Sequence, residues 1–207
     1  MTLTKEIFLK EVADHKLTVL HDDGIYRHLR VQIPNSSMMN YDIITYPGYL
    51  VYSGDMGSYT FSRLQDMLNF FRDDREEWKV NIGYWGEKLQ AVDWHVGASQ
   101  WSQDSFEEAV MQRLSDWLDV AEEDVYDADF ISEQKSKVND LLNESRELEA
   151  HAVAAINNWD ADYNGVDFPD FWEGGMTEAT HRYLWCCHAI VWAIRLYDEV
   201  KKDQVCL

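Results

Sequence analysis

Four oxygen-bearing side chains near residue 165 have the types and the spacing of a site for a hard cation. Asp160, Asp162 and Asn164 occupy alternate positions, and Asp170 follows six residues later. Calcium is bound by carboxylate and amide oxygens, and alternate positions in a turning loop let such oxygens converge on one ion. These four residues are therefore candidate calcium ligands, and no other cofactor is expected. The alternative is a loop between two helices in which the Asp and Asn side chains bond to the backbone.

The segment from Asp160 to Gly165 reads D-A-D-Y-N-G and resembles the opening D-x-D-x-[DN]-G of the EF-hand calcium loop. The family has a bidentate Glu at the twelfth position of the loop, where this chain has Phe171. If this chain has one residue fewer than the family after Gly165, Asp170 corresponds to that Glu. Its side chain is shorter, so the resemblance covers the opening of the loop and departs from the family at its close.

The run Cys186-Cys187-His188 contains residue types that bind zinc or act as nucleophiles. On a helix, adjacent side chains point about 100° apart, so three consecutive residues cannot all face one ion. His181 shares a face with His188, but two histidines leave a tetrahedral zinc site half empty. We expect buried thiols in an apolar helix instead.

The chain contains no complete catalytic motif. The sequence Gly54-Asp-Met-Gly57 lies between two predicted strands, but it lacks the Gly-Lys-Ser/Thr ending and the following helix of a phosphate loop. A tight hairpin is the expected structure there. We expect a protein that acts by binding rather than by catalysis.

Acidity dominates the composition. The chain has 38 acidic and 18 basic residues, a formal charge of −20, and residues 104–162 alone hold 17 acids against 4 bases. Such a surface repels nucleic acid, anionic lipid and acidic substrates, so a basic partner is the expected counterpart. The nine Trp, eleven Tyr and eight Phe indicate a folded core, because acidic disordered proteins are poor in aromatic residues.

After a short opening helix, apolar and polar residues alternate up to residue 61 in the pattern of β-strands. That helix is predicted from Thr4 to His15, with Thr4 as its cap. Strands follow between Leu17 and Phe61, separated by turns such as Asp23-Gly24 and Pro47-Gly48. Four or five short strands joined in this way predict an antiparallel meander.

From Leu64 the spacing of apolar residues predicts helix almost to the end of the chain. One helix begins near Asp104, whose carboxylate can cap it. The next is predicted from Ser132 to Trp159, about 40 Å and the longest element. The last, from Thr177 to about Lys201, is apolar nearly all round between Tyr183 and Tyr197, which is typical of a central core helix.

The predicted fold class is therefore α+β, an antiparallel meander packed with a mainly helical C-terminal half. We expect one domain over residues 1–207. Residues 1–80 hold the opening helix, the sheet and a covering helix, and residues 100–207 form the acidic helical half.

The acidic residues fall mainly on the outer faces of two predicted helices. Carboxylates three or four positions apart on a helix stand about 5–6 Å from each other, and duplex DNA presents a charge about every 1.7 Å. An acidic face can therefore act as a nucleic-acid mimic toward a basic groove, the alternative being a solvated face that confers solubility. The predicted partner-binding residues are Glu107, Glu108, Asp116, Asp119, Glu122, Glu123, Asp140, Glu144 and Glu147.

A second hypothesis belongs to another functional class, a small-ligand protein that binds or sequesters a nucleotide, or an enzyme. A sheet face lined by Tyr and Trp and the 54–57 loop would form the site, with the aromatic rings stacking on the base. The nearby positive charge for a phosphate comes from Arg27, Arg30, Arg63 and Arg72.

We expect that this chain has no targeting signal. Three cysteines, two of them adjacent, do not make a disulfide framework of the secreted type. The first ten residues carry Lys5, Glu6 and Lys10, unlike the uncharged core of a signal peptide. The most apolar run is too short for a membrane span. We expect a cytoplasmic protein, with an oligomer possible.

Four long blocks are distinctive: YPGYLVYSGDMGSYTFSRLQDMLNFFR at 46–72, YWGEKLQAVD at 84–93, DFPDFWE at 167–173 and YLWCCHAIVWAIRLYD at 183–198. Together they resemble a family of small proteins encoded by bacteriophages and prophages. The resemblance implies synthesis in the bacterial cytoplasm during infection or lysogeny. It brings no catalytic residue to carry over.

Small acidic phage proteins outside the virion often resemble inhibitors of host defence, of the anti-CRISPR and anti-restriction types. This context leads to the main functional expectation. We expect an inhibitor without enzymatic activity, whose acidic helical face occupies a basic nucleic-acid-binding groove on a host protein.

Overall fold

The computed structural model describes residues 3–72, 78–123, 126–146, 148–174 and 176–205. The fold is α+β, as the sequence predicts. The chain packs into two compact units. Unit 1 comprises Met1–Ser99 and Ala179–Leu207, and unit 2 comprises Gln100–Glu178. The prediction that the whole chain acts as one domain stays a prediction.

Unit 1 is built on an antiparallel sheet of six strands whose order in space follows their order in the chain. The strands are β1 (Lys16–Asp23), β2 (Tyr26–Gln32), β3 (Tyr41–Tyr46), β4 (Tyr49–Gly54), β5 (Gly57–Ser62) and β6 (Leu89–Ala91). The first five confirm the predicted meander. The prediction of four or five strands missed β6, a three-residue strand that pairs with β5 through Ala91 and Leu89.

Alternate residues of the central strands point into the core of unit 1. Ile43 of β3 lies opposite Tyr52 of β4, and Tyr52 lies opposite Tyr59 of β5. All three are at most 1% exposed. The period of two residues in a strand therefore gives the sheet one aromatic, buried face, which the first half of the sequence predicts from its alternation.

Helices occupy both units. They are α1 (Lys5–Glu11), α2 (Met67–Phe71), α3 (Ile82–Gly86), α4 (Gln103–Glu123), α5 (Ala128–Glu144), α6 (Glu149–Asn157) and α7 (His181–Val205). Thr4 caps α1 as predicted, because its side chain accepts a hydrogen bond from the Ile7 N–H. Helix α7 is the core helix of unit 1. Its Trp185 is fully buried, and its Ala189 carbonyl accepts a bond of 3.2 Å from the Tyr41 hydroxyl.

The prediction of nearly continuous helix after Leu64 is wrong in several places. Leu64 precedes α2 and is 44% exposed. The segment 132–159 is not one helix. Helix α5 ends at Glu144, and the hydroxyl of its C-cap Ser145 donates to the Leu142 carbonyl. Helix α6 begins after Leu148, which provides no side-chain cap. The longest element is instead α7, with 25 residues, and Thr177 belongs to a strand.

Unit 2 has its own core and begins and ends in a two-stranded ribbon. The ribbon consists of β7 (Ser99–Trp101) and β8 (Thr177–Ala179), and the Ser102 N–H donates to the Met176 carbonyl at 3.1 Å. Helices α4, α5 and α6 and the segment before β8 enclose the core. Its buried residues are Phe106, Val110, Leu114, Val138, Leu141, Ala152, Ile156, Val166, Phe168, Phe171 and Met176.

Candidate functional site

The acidic residues of α4 lie opposite its buried side. Phe106 and Val110 are fully buried in the core of unit 2. At about 100° per residue, Glu108, Asp116 and Asp119 project away from that buried line, and each is exposed. The structure therefore gives α4 an outward acidic row, which we call the α4 acidic row and define by these three residues.

Other predicted partner-binding residues flank this row. Glu107 is half-buried and accepts a hydrogen bond of 3.0 Å from Gln103. Glu122 and Glu123 belong to the last turn of α4, but their side chains lie outside the described part of the chain, and so does the whole of Glu147.

The start of α4 differs from the prediction. Asp104 does not cap the helix; the Ser102 hydroxyl accepts the Ser105 N–H at 3.2 Å, so Ser102 stands at the N-terminal end. A serine hydroxyl is as good a cap as an aspartate. The carboxylate of Asp104 is consequently left exposed in the first turn, where the helix dipole favours a negative charge.

Two further predicted residues lie on α5. Asp140 and Glu144 are exposed and stand one turn apart. They line a cleft of about 270 Å³ together with Asp160 and Trp159. The Lys137 ammonium lies 5.5 Å from the centre of the Trp159 ring, so one cation already sits at the edge of this acidic cleft.

The two units differ in their net charge and in the number of their ion pairs. Unit 1 has 17 acidic and 14 basic residues, and unit 2 has 21 acidic and 4 basic residues. Ion pairs of unit 1 include Arg27–Asp66, Arg30–Asp42, Arg72–Asp198, Lys88–Glu87 and Lys201–Asp22. Within the described residues of unit 2, the only ion pair joins Lys137 to Asp162. Almost all the net charge of the protein therefore belongs to unit 2, where Asp162 is the only carboxylate in an ion pair among the described residues.

The predicted calcium ligands Asp160 and Asp162 bind a side-chain cation. Lys137 Nζ lies 2.7 Å from Asp162 Oδ2 and 3.1 Å from the Asp160 carbonyl oxygen. Gln134 Nε2 lies 2.6 Å from the same Asp162 oxygen. The hydrogen bonds from Lys137 and then from Gln134 hold the pKa of Asp162 below its usual range. Lys137 thus supplies a positive charge at the opening of the loop.

The other two predicted ligands, Asn164 and Asp170, lie at turns of the loop where the backbone is left-handed. Asn164 and Asp170 have φ values of 60° and 52°, in the left-handed region that Asn and Asp tolerate. The Asn164 carbonyl accepts a bond of 2.9 Å from Trp117. Gly165 is required by packing, because a Cβ there would lie 2.5 Å from Gln134 Oε1. The described residues contain no group of three or more His, Cys, Asp or Glu side chains placed to hold a metal ion. Calcium binding at this loop stays a prediction.

Gln134 is the organising residue of this loop, and the sequence reasoning missed it. The side chain is fully buried, and its Oε1 accepts the Val166 N–H at 3.0 Å. A buried backbone N–H needs a hydrogen-bond partner, and the Gln134 amide provides it. The available signal was the position of Gln134 one turn before Val138, in line with the apolar residues of α5.

Cys186 and Cys187 are buried free thiols, as predicted. Burial raises the pKa of Cys187 to about 12 and that of Cys186 well above its usual range, so neither forms a thiolate nucleophile at neutral pH. His188 accepts a bond of 3.0 Å from the Trp78 indole N–H and stacks on Phe8. This arrangement packs the core and does not resemble a zinc site.

The predicted hairpin at residues 54–57 is present. Gly54 pairs with Gly57, and a Cβ at Gly54 would overlap the backbone of Tyr41, so glycine is required there. The aromatic sheet face formed by Tyr52 and Tyr59 lies in the core and offers no open surface for a base to stack on.

Comparisons of the chain with models of protein families, with curated proteins and with solved structures find no match. Among the helices that the structure describes, none is long and apolar enough to cross a membrane. Function is therefore inferred from the surfaces of the two units.

Proposed function

We propose that this protein is a phage-encoded inhibitor of a host defence system, of the anti-CRISPR or anti-restriction type. It binds a basic, nucleic-acid-binding surface of the host protein through the α4 acidic row and occupies that surface in place of nucleic acid. The observation that carries the proposal is the outward position of Glu108, Asp116 and Asp119, opposite the buried side of α4 and without ion-pair partners among the described residues.

The charge spacing of α4 supports mimicry of a nucleic-acid strand. The helix carries seven acidic residues from Asp104 to Glu123. At ~1.5 Å per residue they extend over about 28 Å, which gives one charge per ~4 Å on average. One strand of duplex DNA presents a phosphate about every 3.4 Å along the helix axis. A groove that is lined with Lys and Arg for a phosphate backbone can therefore meet carboxylates at a similar density.

The positions of the acidic residues at the end of α4 also indicate that they serve a purpose other than the stability of unit 2. Glu122 and Glu123 occupy the last turn of α4, where the helix dipole disfavours negative charge. Like charges one turn apart repel one another as well. A helix arranged for stability alone would have Lys or Arg in that turn. The phage resemblance of the sequence supplies a context in which such a surface is useful.

Competition with DNA tests the proposal. Purified CRISPR effector and restriction complexes would be bound to labelled DNA, and the protein would be added at increasing salt concentration. We expect the protein to displace DNA from at least one complex and to lose affinity steeply as salt rises, because the association is electrostatic. Direct binding of the protein to DNA is not expected.

Two charge-reversed variants make the test specific. E108K/D116K/D119K reverses the α4 acidic row, and D14K/D23K/D203K makes the same change of charge at exposed positions of unit 1. We expect the first variant to lose competition and the second to retain most of it. Equal competition by both variants, or no competition with any complex, would overturn the proposal.

A further inference from the structure

The sheet of unit 1 has a second side, opposite the buried side that carries Ile43, Tyr52 and Tyr59. Residues of a strand point alternately to the two sides, so the residues next to these in sequence point away from the core. We call this side of β1–β5 the outer sheet face. Its apolar residues are Tyr26, Ile44, Tyr46, Tyr49 and Val51.

These apolar residues form one continuous patch across three strands. Ile44 of β3 lies opposite Val51 of β4, and Tyr46 lies opposite Tyr49. The rings of Tyr46 and Tyr49 are stacked, with their centroids 5.0 Å apart. The register between β2 and β3 places Tyr26 at the position next to Tyr46. Three tyrosines therefore make a row at one end of the face, with Ile44 and Val51 in the next row.

The patch is open. Tyr26 is 51% exposed, Tyr46 is 39% exposed, and Ile44 and Tyr49 are each 36% exposed. An antiparallel sheet with one side in water normally carries polar residues on that side. Tyrosine is enriched instead in protein interfaces, where its ring is buried and its hydroxyl stays hydrogen-bonded. The patch therefore has the composition of a contact surface.

The outer sheet face carries no net charge. Arg30 and Asp42 lie opposite each other and form a bidentate ion pair with two bonds of 2.8 Å. The other two charged residues of the face, Lys16 and Asp23, lie at opposite ends of β1 and also cancel. With histidine neutral, the formal charge of the face is zero in a protein of −20. Such a face does not attract a charged partner, and two copies of this chain can meet there without bringing like charges into contact.

The face is large enough for a dimer. Five strands about 4.8 Å apart, with about seven residues each at ~3.4 Å per residue, cover about 24 × 24 Å. Two such faces in contact hide about 1,150 Å² of surface, above the ~1,000 Å² that a specific interface needs. A two-fold axis pairs the same patch of both copies, so one self-complementary surface is sufficient.

We infer that the protein forms a homodimer in which the outer sheet faces of two copies pack against each other. The tyrosine row, Ile44 and Val51 become the buried part of the interface. The two sheets then form a sandwich of the kind in which side chains of facing sheets interdigitate. The inference does not depend on the proposed inhibitor function, because the α4 acidic row belongs to unit 2.

Sedimentation equilibrium of the full chain tests the inference without any host protein. We expect the mass to rise from that of a 24.3 kDa monomer to twice that value as the protein concentration increases. The dimer should be at least about threefold tighter in about 0.5 M than in about 0.05 M NaCl, because salt screens the repulsion between two acidic chains.

The salt dependence separates this association from the proposed host binding, which should weaken over the same range of salt concentration. A protein that stays monomeric at every protein and salt concentration would overturn the inference. A dimer that dissociates at high salt would also overturn it, because such a dimer would be held by charges that the outer sheet face lacks.

Matched variants locate the interface. I44K places an ammonium group within the patch, and Y49S removes one ring without a change of charge; each is expected to weaken the dimer at least about tenfold. M38K makes the same change of charge as I44K at a methionine that is 69% exposed and lies outside the strands, and it should leave the affinity unchanged. Circular dichroism establishes that each variant is folded. Folded I44K and Y49S proteins that dimerise as tightly as M38K would place the contact elsewhere and contradict the inference.

Discussion

Gln134 of α5 fixes the 160–170 loop by bonding to Asp162: its Nε2 lies 2.6 Å from Asp162 Oδ2, while its Oε1 accepts the Val166 N–H. The same amide explains why residue 165 is glycine. One buried side chain therefore satisfies a carboxylate, a backbone group and the shape of the loop.

The substitution Q134L is expected to destabilise the protein by about 2–3 kcal/mol. Leucine fills a similar volume but leaves the buried Val166 N–H without a partner, which costs the desolvation of that group. Urea denaturation followed by circular dichroism measures the change. The control Q112L alters an exposed glutamine of α4 and should change stability by less than about 0.5 kcal/mol. Equal effects of the two substitutions would contradict the role of Gln134.

Removal of the Lys137 ammonium should raise the pKa of Asp162. The folded-state pKa of Asp162 is below its usual range because Lys137 and Gln134 stabilise the carboxylate. The pair therefore contributes stability above about pH 4, the unfolded pKa, and loses it as pH falls through the folded pKa. NMR titration of K137M should show an Asp162 pKa closer to its ordinary value. K135M, on the same helix, should leave it as in the wild-type protein.

Calcium can bind the 160–170 loop only in competition with Lys137, since both need the Asp162 carboxylate. We therefore expect calcium to raise the melting temperature of K137M more than that of the wild-type protein, with magnesium as the control ion. D162N should abolish the calcium effect in the K137M background. A calcium shift that survives D162N would place the ion at another site.

Reversal of the α4 acidic row should stabilise the protein while it removes partner binding. E108K/D116K/D119K relieves repulsion along α4, and Lys at 119 suits the C-terminal end of the helix dipole. We expect a melting temperature a few degrees higher in low salt, with the difference shrinking as salt screens the charges. A lower melting temperature in low salt would mean that these acids support the fold.

The thiols of Cys186 and Cys187 should be unreactive in the native protein. In a C206S background, Ellman's reagent is expected to find no reactive thiol until denaturant is added, and then two. The raised folded-state pKa values contribute stability below the unfolded pKa of about 8.5, and this stability is lost as pH rises above it. Rapid labelling at neutral pH without denaturant would contradict the burial of these side chains.

The strands of unit 1 were predictable because their signals are local. Leu29 and Val31 alternate with Arg30 and Gln32, and Pro47-Gly48 marks a turn, so the alternation and the turn residues agree. Strand β6 was not predictable in this way. The three residues Leu89–Ala91 are too few for a strand pattern to be recognised, and their pairing with β5 joins segments nearly thirty positions apart in the chain.

In the helical half, the spacing of apolar residues predicts the buried sides of the helices better than the positions at which the helices end. Phe106, Val110 and Leu114 mark the buried side of α4 by spacing alone. The break between α5 and α6 contains neither Gly nor Pro, the residues that usually mark the end of a helix in a sequence. The roles of Gln134 and Lys137 depend on contacts across more than twenty positions, which spacing along one helix does not reveal.

The β7–β8 ribbon brings the two ends of unit 2 together, since Ser102 bonds directly to Met176. Unit 2 is therefore an insertion, and its removal from the chain would require only a short bridge from residue 99 to residue 179. Recombination at the codons for these two positions would replace unit 2 by another acidic unit without interrupting a strand of the six-stranded sheet. Such an arrangement would allow the proposed binding surface to diversify rapidly while the scaffold is inherited unchanged.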